Sequence, residues 1–322
     1  MSLGTQAFIT NRRMDTFGHT FRLTTFGESH GLAVGGIIDG CPSGIVIDTE
    51  QIRQDLQRRS GPRNEPDEVI FLSGIVEGKT IGTSIGFMVK NVDARSEDYE
   101  PLQQLFRPGH ADYTYEQRYG TRDWRGGGRS SARETVARVV AGSIAKQILT
   151  FSNIKISTTT NMSDDAPDGD TIGGIVSCTI TGVKAGVGNP IFGKLNATLA
   201  GAMMSIPSAI GFEMGAGFGA ANMKGSEYID NWSIGEDGKQ IVTKTNHCGG
   251  IQGGISNGMP IEFRVAFHPV VTLQQGIDCI DAAGKIHHIK PGGRHDNSQT
   301  QRATVIVESM AAIVLADYIV DL

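Results

Sequence analysis

The sequence predicts a single α+β domain, and three observations lead to that fold class. Of the 322 residues, 39% are hydrophobic and 20% are charged, which is the balance of an ordinary globular protein. Apolar residues recur at helical spacing in the segments 136–148 and 304–320, and a further helix is predicted over 196–206 with Asn196 as its N-cap. The strand-like segments between these helices lack the regular alternation that defines a parallel α/β fold. We therefore expect one domain over residues 14–322.

The N-terminal part of the chain predicts two strands and a helix. Apolar and polar residues alternate from Thr20 to Thr25, and a Val/Ile segment between glycines follows at 33–39. The loop between them, Gly27-Glu28-Ser29-His30-Gly31, places a histidine between turn-forming glycines. Asp48 and Thr49 can cap a helix that ends in Arg58-Arg59. Residues 1–13 lack the apolar core of a signal peptide, so we interpret them as an added leader outside the domain.

A glycine-rich stretch before the long central helix predicts an anion site. Gly126–Gly128 is followed by Arg129-Ser130-Ser131, and Ser131 with Glu134 forms a capping-box pattern. Free backbone N–H groups, the helix dipole and the hydroxyl groups would attract phosphate there. The simpler alternative is a capped helix with a flexible lead-in and a salt-bridged surface. Arginine enrichment favours the anion site, since seven arginines fall within 107–138: Arg107, Arg118, Arg122, Arg125, Arg129, Arg133 and Arg138.

Composition and spacing argue against several classes of function. The formal charge of −5 argues against a nucleic-acid-binding surface, and no segment is long and apolar enough to suggest membrane contact. The glycines at 126–128 lack the following Gly-Lys-Ser/Thr of a P-loop, and Gly215-x-Gly217-x-Gly219 lacks dinucleotide-binding spacing. No paired His, Asp, Glu or Cys spacing predicts a metal site. Four widely separated cysteines favour a reducing compartment, so a cytoplasmic location is expected.

Four segments together form a pattern more specific than any single motif. They are Phe21–Gly31 (FRLTTFGESHG), Arg107–Asp112 (RPGHAD), Gly126–Glu134 (GGGRSSARE) and Gly293–Asp296 (GRHD). In content and in order these segments resemble the chorismate synthase family. The resemblance extends from about Gly18 to the C-terminus.

The resemblance implies a fold, a reaction and a cofactor. The fold is a β-α-β sandwich in which long central helices lie between antiparallel β-sheets, assembled as a homotetramer. The reaction is the anti 1,4-elimination of phosphate from 5-enolpyruvylshikimate 3-phosphate, a lyase step of the shikimate pathway that gives chorismate. Reduced FMN (FMNH2) is implied because an electron-rich flavin can lend electron density while the carbon–oxygen bond breaks. Some members of the family reduce the flavin with NADPH, so the source of reduction stays open.

The matching motifs also imply roles for particular residues. His30 would supply a proton or hydrogen bond to the leaving phosphate, His110 would stabilise the reduced flavin near N1, and Asp296 would act as a base on the N5 side. The implied substrate-binding residues are Arg59, Arg107 and Arg133. The implied cofactor-binding residues are Arg129, Ser130, Ser131, Gly253, His268, Thr272 and Arg294. We expect one pocket for both ligands, lined by His30, Arg107, His110, Arg129 and Arg294.

Three features depart from the family pattern. The loop after Arg58-Arg59 is shorter than in the family, and Arg63 replaces an expected arginine only in part. The segment 157–171 is also shorter, and His268 stands where the family has lysine. Two alternatives therefore stay open. One is a phosphate-binding module that keeps the scaffold but has lost turnover. The other is an RNA-binding protein that uses residues 107–138, which is less favoured because the chain is acidic.

Overall fold

The fold is known from a computed structural model that describes residues 15–60, 66–162, 170–273, 275–290 and 298–320. Several sequence predictions lie outside the described residues: Arg63, the segment Gly293–Asp296 with Arg294 and Asp296, and positions 163–169 of the segment 157–171. The expected leader 1–13 also lies outside them.

One outer layer is a five-stranded antiparallel sheet. Its strands in spatial order are β1 (Thr16–Phe17), β2 (Arg22–Phe26), β3 (Ala33–Asp39), β7 (Ile85–Lys90) and β4 (Val69–Phe71). The strands predicted at 20–25 and 33–39 correspond to β2 and β3, which pair so that Thr24 lies opposite Ile37. The turn between these two strands carries His30, so the histidine lies at one end of this sheet.

The other outer layer is a four-stranded antiparallel sheet. Its strands in spatial order are β11 (Ala209–Met214), β16 (Ile261–Phe267), β10 (Gly174–Thr181) and β9 (Lys155–Asn161). Along β10, the buried side chains Val176, Cys178 and Ile180 alternate with more exposed ones. This period of two is typical of a sheet with one face on the core.

The remaining strands of the described residues form smaller sheets. A three-stranded sheet contains β18 (Ile286–Ile289), β17 (Ile277–Asp281) and β8 (Leu105–Phe106). The two-stranded sheets pair β5 (Ile75–Val76) with β6 (Lys79–Thr80), β12 (Trp232–Ile234) with β13 (Ile241–Thr243), and β14 (Ile251–Gln252) with β15 (Ile255–Ser256). Strand β8 matters for function because the chain passes from it directly into the loop that begins at Arg107.

Long helices lie between the two main sheets. The longer ones are α1 (Thr49–Ser60), α3 (Thr135–Thr150), α4 (Leu195–Met204) and α6 (Thr300–Ile319), and the short ones are α2 (Asp112–Tyr119) and α5 (Gly225–Tyr228). α3 contacts β2 and β3, α6 contacts β9 and β10, and α3 and α6 contact each other. Among the helices of the described ranges, none has both the length and the apolar character that crossing a membrane requires.

The close approach of α3 and α6 depends on one glycine. A Cβ atom at Gly142 would overlap the backbone and side chain of Ser309. Residues 303–317 of α6 are buried throughout, including Ser309 and Glu308. A helix buried on every side belongs in the middle of a sandwich, and the predicted α+β sandwich with central helices is confirmed.

Helix boundaries correct three details of the sequence prediction. α4 begins at Leu195, so Asn196 is a residue of the first turn and Lys194 takes the N-cap position. Ser131 does accept a hydrogen bond from the N–H of Arg133, but a 3₁₀ turn over Ala132–Glu134 precedes α3, and the Glu134 carboxylate pairs with Arg138 at 2.9 Å. α6 begins four residues before the predicted position 304. The cap of α1 is as predicted, since Asp48 Oδ1 accepts from the N–H of Gln51 at 2.9 Å.

Candidate active site

A cavity of about 600 Å³ opens beside the N-terminal ends of α3 and α6. Among the described residues, its lining has six basic and three acidic side chains: Arg59, Arg95, Arg107, Arg133, Lys290 and Arg302 against Asp67, Asp93 and Asp98. This volume lies within the usual range for a small-molecule site. A basic excess in an acidic chain suits the cavity to a small anion.

His30 enters the cavity from the turn between β2 and β3. The Oγ of Ser29 lies 3.0 Å from the Nδ1 of His30, which fixes one edge of the ring. Gly126 lies against the same ring, and a Cβ atom there would overlap it. Gly126 also has a φ of +61°, which an L side chain rarely adopts. The first glycine of the 126–128 stretch therefore makes room for the imidazole.

The surroundings of His30 favour its neutral form. Burial lowers the pKa of His30, and the charge of Arg125 lowers it further. The carboxylates of Asp123 and Asp98 act in the opposite direction without reversing the shift. Without an anion nearby, the imidazole is therefore neutral over more of the pH range than an exposed histidine.

Two of the predicted arginines share one buried carboxylate. Asp67 accepts from Arg59 Nη2 at 3.2 Å through one oxygen and from Arg133 Nη1 at 2.6 Å through the other. Arg133 also donates to the Asn91 side chain at 2.9 Å. Arg302 donates from its Nε to the backbone oxygen of Arg59 at 2.7 Å. These bonds hold the arginines in place on one wall of the cavity.

Arg107 is held by the carboxylate of Asp112, which also lies 3.6 Å from Arg122. Asp112 accepts from the Nε and Nη2 atoms of Arg107 at 2.7 and 3.0 Å, a bidentate arrangement that fixes the plane of the guanidinium. Burial raises the pKa of Asp112, but hydrogen bonds and charge from Arg107 outweigh that effect and lower it. The guanidinium carbon of Arg107 also lies 6.0 Å from the ring centre of Tyr99.

His110 was predicted to line the cavity, but it does not; it lies behind Thr272, which does. Thr272 lines the cavity, and its Oγ1 lies 3.2 Å from His110 Nε2. His110 Nδ1 lies 3.0 Å from the carbonyl oxygen of Pro108 and donates a hydrogen bond to it, so in the neutral ring Nε2 accepts a hydrogen bond from Thr272. Burial and the charge of Arg107 lower the pKa of His110, and His268 contributes in the same direction. Of the two histidines, His30 lines the cavity and His110 is separated from it by Thr272.

The predicted cradle at 129–131 contributes one residue to the cavity lining. Ser131 lines the cavity, whereas Ser130 donates to the carbonyl of Gly127 at 2.7 Å. Arg129 donates from Nη2 to Thr25 Oγ1 at 2.7 Å and lies 3.5 Å from Asp15. The described geometry therefore brings Ser131, but not Arg129 or Ser130, to the cavity.

The other predicted flavin positions are distributed more widely. Gly253 is exposed in the turn between β14 and β15 with a φ of +62° and does not line the cavity. His268 follows β16; its backbone N–H donates to Ser208 at 3.1 Å, and its Nδ1 lies 2.6 Å from the oxygen of Pro269. Because Arg294 and Asp296 lie outside the described residues, their predicted roles stay predictions.

Sequence reasoning missed Asp67 and Tyr99. Both line the cavity, Asp67 beneath two arginines and Tyr99 beside His30 and Arg107. Asp67 follows the basic Arg58-Arg59 pair closely in the chain, so it could have been considered as a counter-charge. Tyr99 carries no comparable signal, because its partners lie 69 residues before it and eight after it.

The α+β sandwich and its basic cavity suit a protein that binds a small anion. The sequence profile described as chorismate synthase matches residues 21–166 and 158–320. A chorismate synthase of Azobacteroides pseudotrichonymphae is 49% identical over 350 residues, covering 95% of this chain and 99% of that protein. One from Christiangramia forsetii is 49% identical over 347 residues, with 94% and 97% covered. The chain belongs to the chorismate synthase family.

A solved structure supports the same assignment. A crystal structure of chorismate synthase superposes with a TM-score of 0.75 at 28% identity, covering 95% of this chain and 93% of that one. Chorismate synthase function in the shikimate pathway follows from the family, which is flavin-dependent. The 350-residue alignment is longer than this chain, so the bacterial relative contains segments without a counterpart here.

Proposed function

We propose that the cavity binds 5-enolpyruvylshikimate 3-phosphate and that the enzyme is a carbon–oxygen lyase that eliminates its phosphate to give chorismate. The observation that carries this proposal is one basic cavity holding His30 together with Arg59, Arg107 and Arg133. The substrate has a phosphate and two carboxylates, which the arginines can offset. During the elimination the C3–O electron pair leaves with the phosphate, C6 loses a proton, and the ring double bond at C1–C2 is replaced by double bonds at C2–C3 and C1–C6.

His30 is proposed to assist the departure of phosphate. As the bond to C3 breaks, negative charge grows on the bridging oxygen, and a proton or hydrogen bond from the imidazole stabilises it. Burial and Arg125 favour the neutral ring in the absence of ligand. A bound phosphate acts in the opposite direction on the His30 pKa and favours the protonated ring that the step requires.

The arginines are proposed to bind the substrate without rearrangement. Arg107 is fixed by Asp112, and Arg59 and Arg133 are fixed by Asp67. Because their side chains are already ordered, less conformational entropy is lost when an anion binds. The guanidinium groups also exclude water from the phosphate and hold it near His30.

Reduced FMN is the proposed cofactor, and the described residues fit such a group. Thr272 and Ser131 offer hydroxyl groups at the cavity, and the basic lining suits a flavin phosphate. When bound, the reduced flavin supplies electron density to the allylic system of the substrate. His110, held by Thr272 and Pro108, is proposed to contact the flavin ring, and Asp296 is proposed as the base. NADPH and a separate reductase are the two alternatives for reduction.

Anaerobic assay tests the proposed function. The protein is incubated with 5-enolpyruvylshikimate 3-phosphate and photoreduced FMN, and chorismate and phosphate are measured together. Equal amounts of both products support the proposal. Substrate binding without either product would instead identify a phosphate-binding module. Repeating the assay with NADPH and oxidised FMN in place of photoreduced FMN separates the two sources of reduction.

A homotetramer and a cytoplasmic location complete the proposal. Trp232, Ile234 and Ile241 are exposed apolar residues on the β12–β13 hairpin, a surface that suits contact between subunits. None of the four cysteines is in a disulfide, which suits a reducing compartment. Light scattering of the purified protein tests the tetramer, since a monomer mass at micromolar concentration would contradict it.

A further inference from the structure

Tyr99 lies between two cavity side chains with different proposed tasks. Its ring centre is 5.1 Å from that of His30, and the ring planes are inclined by 72°, an edge-to-face contact. Arg107 lies 6.0 Å from the centre of the same ring, at cation–π distance. Tyr99 also lines the cavity. One aromatic side chain thus contacts both the imidazole and a substrate-binding arginine.

The position of Tyr99 is set by a small core separate from the main one. Tyr99 belongs to the 3₁₀ helix Ser96–Leu102 and packs against a cluster made of Leu102, Leu105, Ile277 and Cys279. Leu105 is in β8, and the chain continues from β8 to Arg107. The ring and the arginine are therefore carried by neighbouring parts of one packed unit.

The other contacts of His30 leave a role for this ring. Ser29 holds Nδ1 by a hydrogen bond, and Gly126 lies against the same part of the imidazole. Both contacts lie on the Nδ1–Cε1 side of the imidazole, so they fix only that side of the ring. The Tyr99 ring, centred 5.1 Å from the imidazole, is a further contact that limits rotation of the His30 side chain.

We propose that Tyr99 is a positioning residue that holds the His30 imidazole in the orientation from which it meets the leaving phosphate. This inference rests on the proposed function of His30. Both contacts are made by the ring of Tyr99, so the ring and not the hydroxyl group carries the effect. The contact with Arg107 fixes the distance between the acid and one of the groups that bind the substrate.

Two substitutions separate the ring from the hydroxyl group. Tyr99→Phe keeps the ring and should keep kcat within about threefold, whereas Tyr99→Leu removes it and should lower kcat by roughly 10- to 100-fold, the scale of a misplaced catalytic group. Tyr119→Leu is the matched control, because Tyr119 is 57% exposed and pairs edge-to-face with Tyr115 at 5.4 Å. That control should leave kcat unchanged, and thermal unfolding checks that all variants are folded.

A double-mutant cycle with His30→Ala decides whether Tyr99 acts through His30. If it does, adding Tyr99→Leu to His30→Ala lowers kcat no further, and the pH dependence of kcat changes in Tyr99→Leu but not in Tyr99→Phe. Losses that multiply, or equal losses in the Phe and Leu variants, would overturn the proposal. Wild-type kcat in His30→Ala would contradict the proposed function itself, whereas a loss in His30→Ala with wild-type kcat in Tyr99→Leu would contradict the role of Tyr99 alone.

Discussion

The cavity arginines are ordered by buried carboxylates before any ligand binds. Asp67, whose side chain is 3% exposed, bridges Arg59 and Arg133, and Asp112 holds Arg107 in a bidentate contact. A buried carboxylate between two guanidinium groups offsets charges that would otherwise be costly to bury. Removing the carboxylate should therefore affect folding as well as binding.

Asp67→Asn is expected to lower the free energy of unfolding by about 3 kcal/mol, because two largely buried guanidinium groups lose their shared counter-charge. Added phosphate should recover part of this loss by binding to the same arginines. Chemical denaturation with and without phosphate measures both effects. Asp93→Asn is the control, since Asp93 is 74% exposed and lies 3.7 Å from Arg95, and it should change stability by less than about 0.5 kcal/mol. Equal stability of the two variants would contradict the bridging role.

The cavity residues that lie within distinctive motifs were identifiable from the sequence. His30, Arg107 and Arg133 lie in segments whose residue order is specific, and the cavity brings them together. Asp67 and Tyr99 were missed because their importance comes from partners that are distant in sequence or on another element. Arg129 and Ser130 lie in the same predicted cradle as Ser131, but their side chains bond to Thr25 and Gly127 instead.

Among the elements, the contact between α3 and α6 is the tightest constraint on the sandwich. Gly142→Ala should destabilise the protein by about 1–3 kcal/mol, because the new methyl group overlaps the backbone of Ser309 and both helices are buried there. Gly201→Ala in α4 is the matched control, since a Cβ atom there meets no neighbour. That control should gain up to about 1 kcal/mol from helix propensity. Thermal unfolding of both variants distinguishes the signs, and a stabilised Gly142→Ala would contradict the described packing.

Helix existence was predictable and helix ends were less so. The apolar spacing of 304–320 predicted α6, and the Asp48 cap predicted the start of α1. α4 starts at Leu195, one residue earlier than the predicted helix, and Lys194 with an extended backbone occupies the position assigned to Asn196. Capping preference is a weak signal where tertiary packing fixes the end of a helix.

Across the whole molecule, a buried charge cluster joins the helical layer to the four-stranded sheet. Glu308 of α6 accepts hydrogen bonds from Arg58 of α1 at 2.6 and 2.8 Å, from Lys146 of α3 at 2.9 Å and from Thr158 of β9 at 2.7 Å. Burial raises the pKa of Glu308, but Arg58, Lys146 and Thr158 lower it to about 2. Four elements thus meet at one carboxylate.

This cluster predicts a specific acid sensitivity. The pKa of Glu308 in the folded protein lies below its ordinary value of 4.5. Its contribution to the free energy of unfolding is therefore fully present above pH 4.5 and is lost as the pH falls toward about 2. The contribution is about 3 kcal/mol. Glu308→Gln should remove it at pH 7 and flatten the stability profile between pH 5 and about 2, as measured by urea unfolding. Glu236→Gln, at an exposed position, should leave the profile unchanged. An unaltered profile in Glu308→Gln would contradict this assignment.

The order of layers could not be derived from periodicity. Alternation predicted β2 and β3, and helical spacing predicted α3 and α6, but nothing in these patterns says that α3 and α6 lie between two sheets. That arrangement was expected from the resemblance of four motifs to the chorismate synthase family. Long-range pairing, such as β10 with β16, joins segments more than 80 residues apart, which local patterns do not encode.

Turnover by the His30→Ala variant tests the central claim most directly. Stopped-flow measurement with reduced FMN and saturating 5-enolpyruvylshikimate 3-phosphate follows product formation under anaerobic conditions. Loss of the positioned acid should lower kcat by roughly 10²- to 10⁴-fold, with a smaller change in substrate affinity because Arg59, Arg107 and Arg133 remain. A large loss of affinity with unchanged kcat would contradict the claim, since His30 would then bind phosphate without assisting its departure.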